Sequence, residues 1–231
     1  MVIKPWLVSG GICLPTPSFL FHFPLEMITM AEVEMILNLI RYGESLKVIE
    51  RSGWSLAGAQ SKRIESVAEH SFGSVFSSIL IAHHLKSIET EIDIEKVALM
   101  ATLHDLPESI TGDIARTKEF VENDELFKAK DLAERNAIKA ILEPSGNAFS
   151  SLLQIWDEFI LGESLESRVV RGADIIDMLI HARSLEESGT DSKSLHEFFE
   201  SSRRTIELVN LKIVTGIYNK LFKEHTSKAV D

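Results

Sequence analysis

Cysteine is almost absent from this chain. Of its 231 residues only Cys13 is a cysteine, so no disulfide can form within one molecule, and the composition suits a reducing cytoplasm. Positive charge is also scarce: 24 Lys and Arg face 35 Asp and Glu, a net charge of −11. No basic block concentrates the cations. Such a surface repels phosphate backbones and argues against a nucleic-acid partner. Proline and glycine are sparse, at six and 12, and no run alternates apolar and polar residues with the period of a strand. Helix is what these absences leave, and the many Leu, Ile, Ala, Glu and Lys supply its composition. Hydrophobic residues make up 45% of the chain and charged ones 26%, which is enough apolar material for a core and too much for a disordered protein.

Charge of either sign is missing from Pro5 to Leu25. A membrane span there is disfavoured because Pro5, Pro15, Pro17, Pro24 and the pair Gly10-Gly11 would free backbone groups that lipid cannot satisfy. A secretory signal is disfavoured as well, since Lys4 gives only a minimal n-region, the apolar run is broken and no small-residue cleavage site stands out. We read residues 1–28 as a disordered or loosely packed extension ahead of a start at Met27 or Met30. Residues 29–231 then form one domain with no membrane role.

From Thr29 onwards helical periodicity dominates. Val33, Ile36, Leu37 and Ile40 recur at i, i+3, i+4 and i+7 within Ala31–Val48, and Arg51–Glu65 reads as a long loop. Ser66-Val67-Ala68-Glu69 matches a capping box opening a helix to about Leu85. On that helix Phe72, Val75, Phe76, Ile79, Leu80 and His83 make one apolar stripe. His70, Ser74, Ser77 and Ile81 lie opposite, so the helix is expected to be central and buried on two sides. Asp93 caps Ile94–His104, and Pro107, Gly112 and Asp113 mark a turn-rich segment. Further helices are expected at Asp124–Leu142, Ala148–Leu161 and Leu165–Glu187, with one long or two shorter ones over Ser192–Lys223. The fold class is all-α, a bundle of about seven or eight helices.

The chemistry concentrates in Ser66-Val67-Ala68-Glu69-His70-Ser71, His104-Asp105-Leu106-Pro107-Glu108, Thr111-Gly112-Asp113 and Gly172-Ala173-Asp174. Neutral imidazole and carboxylate are natural ligands of a divalent metal. His104 and Asp105 can reach one ion only if their helix loosens there, which Pro107 encourages. Asp174 sits among Val169, Val170, Ala173, Ile175 and Ile176, where an ionised carboxylate is costly without a partner. A metal is one such partner; Arg171 and Lys139 are others. Asp174, Asp177 and His181 share a helical face, which offers a different ligand set. Glu69, next to His70, is placed to orient a ligand imidazole, but its capping role already explains it. His83-His84 reads as a helix end with one buried and one exposed ring, and His22, His196 and His225 have no acidic or His partner at ligand spacing.

In this order and spacing on helices, these residues resemble the HD superfamily of metal-dependent phosphohydrolases, with a closer similarity to the YfbR-type 5′-deoxynucleotidases. The similarity runs from about Met35 to Glu187 and includes Arg51-Ser52-Gly53-Trp54. It implies His70, His104, Asp105 and Asp174 as ligands of one divalent ion; a His/His/Asp/Asp set accepts Mn, Fe, Co, Ni or Zn. It also implies catalytic roles for Glu108 and Asp113, substrate contacts from Arg51 and Trp54, a nucleoside 5′-monophosphate substrate with deoxyribose preferred, and a homodimer. Glu108 suits a base or an orienter of the attacking water and Asp113 an acid for the leaving oxygen, although the two roles are exchangeable. Arg116 and Lys118 are further cations near the motifs. The alternatives are an HD phosphohydrolase acting on cyclic or pyrophosphorylated nucleotides, and a non-enzymatic nucleotide-sensing helical protein.

Overall fold

Several helices start where a short polar side chain can satisfy the free backbone N–H groups of the first turn. In the computed structural model, which describes residues 28–59, 63–115 and 123–228, Thr29 forms a capping box with Glu32 at the head of α1 (Met30–Ser45). Ser66 does the same with Glu69 at the head of α3 (Val67–Ser87), as its sequence pattern predicts. Asp93 caps α4 (Ile94–Leu103) by accepting from the Lys96 N–H. Between them lies α2 (Ser52–Leu56), a short helix inside the segment expected to be loop. The extension at residues 1–27, Cys13 and His22, and Arg116 and Lys118, lie outside the described residues.

After α4 the chain turns through His104–Pro107 into the four-residue α5 (Glu108–Thr111). Gly112 ends it at φ +72°, a conformation that suits glycine. Then follow α6 (Asp124–Leu142), a 3-10 segment at Glu143–Phe149, α7 (Ser150–Leu161), α8 (Leu165–Glu187), α9 (Ser192–Val209) and α10 (Lys212–Lys228). The last two are separated by Asn210 in the left-handed conformation, which resolves the choice between one long helix and two. Among the described residues there are eight helices of ten residues or more, two short ones and no strand beyond an isolated Glu50–Ser66 bridge. No described helix is long and apolar enough to cross a membrane.

Helix α8 is the hub, packed against α3, α4, α7, α9 and α10. Val169, Val170, Ala173, Ile176, Leu179 and Ala182 on it are buried. Gly172 is required at the α10 contact, because a Cβ there would lie 2.9 Å from both Val214 methyls. A second cluster (Leu103, Ile138, Ile141, Leu142 and Trp156) joins α4, α6 and α7.

Helix α3 departs from expectation. It buries the side carrying His70, Ser74, Ser78, Ile81 and Ala82, because small residues there let α8 approach closely. Its bulky stripe faces outward instead: Phe72, Phe76 and Leu80 are 74%, 56% and 54% exposed. His83 and His84 are both exposed, not one of each. Helix α1 likewise buries no residue, and Val33, Ile36, Leu37 and Ile40 remain open.

Candidate active site

The site forms where the end of α4 meets the middle of α3 and α8. Helix α4 stops at Leu103, so His104 and Asp105 lie in a turn and not on opposing sides of a continued helix. His104 Nδ1–H donates to the Ala101 carbonyl at 2.7 Å, which leaves Nε2 as the ring atom available to a ligand. That Nε2 lies 3.1 Å from Asp105 Oδ2. From α3, fully buried His70 aims Nε2 at Asp174 Oδ1, 2.9 Å away on α8, and at Asp105 Oδ2, 3.6 Å away. All four residues expected as ligands therefore come together. One potential ligand atom from each of His70, His104 and Asp174 lies within 4.8 Å of the others.

Two observations show that this donor set fits a divalent cation. His104 Nε2, Asp105 Oδ2 and Glu108 Oε2 are buried without a hydrogen-bond partner, a condition proteins rarely leave uncompensated. The donors are also imidazole and carboxylate, the usual set for Mn, Fe, Co, Ni or Zn.

The electrostatics follow from crowding. Burial and Arg51 push the His70 imidazolium towards deprotonation, but hydrogen bonds to Asp174 and Asp177 outweigh them and raise it to about 10. His104 is also raised, since the adjacent Asp105 outweighs its burial. Burial acts to raise Asp105 and Asp174, yet the histidines hold both below the usual carboxylate range, Asp174 at about 2. Glu108 goes the other way: burial, then Asp105 and Asp113, push it up to about 9.

Arg51 enters from the segment before α2. Its Nη1 lies 3.1 Å from Asp113 Oδ1 and 3.7 Å from Asp105 Oδ2. Asp113 Oδ2 also accepts the Ser52 backbone N–H and the Ser52 hydroxyl, each at 2.6 Å. The Ser52 hydroxyl in turn accepts from the Ala115 N–H. Asp113 thereby ties the turn after α5 to the start of α2. Trp54 is 2% exposed, packs against Phe198 and His181 and donates Nε1–H to Glu65 at 2.8 Å.

Several expectations are corrected. Glu69 does not orient a ligand ring; it accepts from Ser66 and pairs with Arg63. The carboxylate on His70 Nδ1 is Asp177, at 2.8 Å, and the signal for it was the shared face with Asp174, one turn away. Arg171 donates to the Phe159 and Ile160 carbonyls and so caps α7, while Asp174 pairs with His70. His225 does have partners: its Nδ1 meets Glu186 and its Nε2 lies 2.9 Å from His196 Nδ1. Lys130, buried and paired with Glu134, lies close enough to counter the upward push on Glu108; sequence reasoning gave no sign of it.

Fold and site together define an all-helical protein in which two buried histidines meet two partly buried aspartates in a nest suited to a divalent cation. The chain belongs to the HD domain family, whose family model matches residues 43–212. It is 24% identical over 168 residues to the 5′-deoxynucleotidase HDDC2 of Homo sapiens, covering 72% of this chain and 76% of that one. It is 29% identical to the 5′-deoxynucleotidase YGK1 of Saccharomyces cerevisiae, covering 70% of each. A Pyrococcus horikoshii protein of known crystal structure is similar at 32% identity and a TM-score of 0.63, over 83% of this chain and 98% of that one.

Proposed function

We propose that this protein is a metal-dependent phosphohydrolase that releases phosphate from nucleoside 5′-monophosphates, with deoxyribose preferred. The observation that carries this reading is the convergence of His70, His104, Asp105 and Asp174 beside the Arg51 guanidinium and Glu108, whose Oε2 has no hydrogen-bond partner. Relatives named 5′-deoxynucleotidase in several organisms support the substrate class.

In this reading His70, His104, Asp105 and Asp174 hold one divalent ion. When bound, that ion supplies Lewis acidity to the phosphoryl group and lowers the pKa of a coordinated water. Arg51 offers a forked pair of N–H donors to the phosphate. Asp113 and Ser52 fix the segment from which Arg51 projects. Glu108, beside the ligands and with one oxygen free of partners, takes or returns the proton of the attacking water, and its raised proton affinity suits transfer near neutral pH. Trp54, held by Glu65, Phe198 and His181, closes the sugar side of the pocket and cannot retreat from a 2′-hydroxyl.

We further place the enzyme in the cytoplasm and take a second copy of the chain as the partner of the exposed α3 stripe. Phosphate release should be measured for deoxyribo- and ribonucleoside 5′-monophosphates, 3′-monophosphates, cyclic nucleotides and nucleoside triphosphates, with and without excess chelator. Release from 5′-monophosphates that chelator abolishes is the expected result. Turnover confined to cyclic or pyrophosphorylated nucleotides would instead favour another member of the superfamily.

A further inference from the structure

His70 is gripped from both sides of its ring by one helix. Asp174 and Asp177, one turn apart on α8, meet Nε2 at 2.9 Å and Nδ1 at 2.8 Å. The ring is wholly buried on α3. Glu65 also reaches this neighbourhood, within 4.8 Å of His70 and Asp177, but its Oε2 is engaged by the Trp54 indole.

Gly73 makes the grip on Nδ1 sterically feasible. It lies one turn after His70 on α3, and a Cβ at this position would stand 1.9 Å from Asp177 Oδ1 and 2.5 Å from its Cγ. The displaced group would be a short, half-buried carboxylate, whose one-carbon stem cannot swing aside without giving up the His70 contact. Glycine in the middle of a helix is disfavoured relative to alanine, so helix stability alone argues against it at this position.

We infer that Asp177 is a positioning residue, seated by Gly73, which holds the His70 ring through Nδ1 so that Nε2 is presented as a ligand to the cation. This rests on the reading of His70 as a metal ligand. The physical argument is the general one for ligating imidazoles: an acceptor on the far nitrogen fixes the tautomer and the ring angle and raises the basicity of the ligating nitrogen. Asp174 belongs to the ligand set and Asp177 does not. The two acids on one helical face thus divide the work, one towards the ion and one behind the ring.

The test is the affinity of the full-length protein for Zn²⁺, measured by competition with a chelating dye. It would compare the parent with His70→Ala, Asp177→Asn, Asp177→Ala, Gly73→Ala and the double variant Gly73→Ala/Asp177→Ala. His70→Ala should abolish tight binding. Asp177→Asn keeps the volume and one acceptor and should weaken binding about tenfold. Asp177→Ala and Gly73→Ala should each weaken it by up to about a hundredfold, the range seen when partners behind a ligand are removed. In the double variant the loss should equal that of Asp177→Ala alone, because the added methyl then has no carboxylate to displace. Parent-like affinity in Asp177→Asn, with binding still lost in His70→Ala, would overturn this inference alone. Losses that multiply in the double variant would overturn the link to Gly73. Unimpaired binding in His70→Ala would overturn the ligand reading and this inference with it.

Discussion

The Nε2 of His104 lies 3.1 Å from Oδ2 of Asp105, its immediate neighbour in sequence. In a continuous helix consecutive side chains diverge by about 100°, and the two could not serve one centre. They do so because α4 ends at Leu103 and the next four residues form a turn. Both atoms are buried without hydrogen bonds, so the turn gathers polar groups that only a ligand or protons can satisfy.

Metal binding should release protons. His70 is raised to about 10 because Asp174 and Asp177 outweigh the downward push of burial and of Arg51, so without metal the ring carries a proton throughout the neutral range. A cation at Nε2 must displace it, and apparent affinity should fall as pH is lowered below about 10. Calorimetry in buffers of different ionisation enthalpy should report about one proton or more released per ion at pH 7. Binding with no proton release would contradict this.

Glu108→Gln should separate chemistry from stability. Turnover should drop at least about a hundredfold, the usual worth of a positioned proton-transfer group, while metal content stays near that of the parent. The stability effect has the opposite sign. The folded metal-free protein holds the Glu108 proton up to about pH 9, whereas an ordinary glutamate loses it near 4.5. The folded state therefore binds more protons than the unfolded one in that window, and stability declines as pH rises through it. Glu108→Gln cannot ionise, so in excess chelator at pH 8 its thermal midpoint should exceed that of the parent. Loss of the ion together with activity would move Glu108 into the ligand set.

Arg51 and Trp54 should fail differently. Arg51→Ala removes a charge-assisted phosphate contact and should lower kcat/KM for dAMP and AMP alike, by about 10- to 100-fold. Trp54→Ala would empty a core position at a cost of about 3–5 kcal/mol, so Trp54→Phe is the cleaner variant. It should narrow the dAMP-to-AMP ratio of kcat/KM several-fold, since less bulk faces the 2′ position. An unchanged ratio would leave Trp54 as a loop anchor only.

The outward stripe of α3 should govern assembly. Charges at Phe72 and Phe76, whose rings stack at 6.4 Å on the surface, would be incompatible with burial against a second copy. Light scattering should report a dimer for the parent and a monomer for the variant carrying Phe72→Glu and Phe76→Glu. A monomeric parent would refute the proposed dimer.

The helices were legible because their signals are local. Ser66 and Asp93 cap where the sequence pattern places caps, and Pro107 marks the turn that gathers His104 and Asp105. The direction of the α3 stripe was not legible. Periodicity shows that Phe72, Phe76 and Leu80 share a face, but which face is buried depends on what packs there, and the small residues around Ser74 and Ser78 admit α8. The four expected ligands converge for a related reason: buried His and Asp have few ways to be satisfied. Partnerships across distant segments, such as Asp177 with His70 or His225 with Glu186, depend on how helices cross. Spacing sets Asp174 and Asp177 on one face but does not say what that face meets, and Glu69 is held in the capping box that its sequence position explains.

Helix α8 carries Asp174 and Asp177 through the point where five other helices meet. Its middle turns have no route to open by fraying, since amides there are shielded until the neighbouring helices come away together. Deuterium should therefore enter the backbone around residues 173–178 only through whole-domain opening. Exchange at these few amides should report the global free energy of unfolding, so the two site carboxylates on α8, Asp174 and Asp177, stand on backbone that opens only when the domain does.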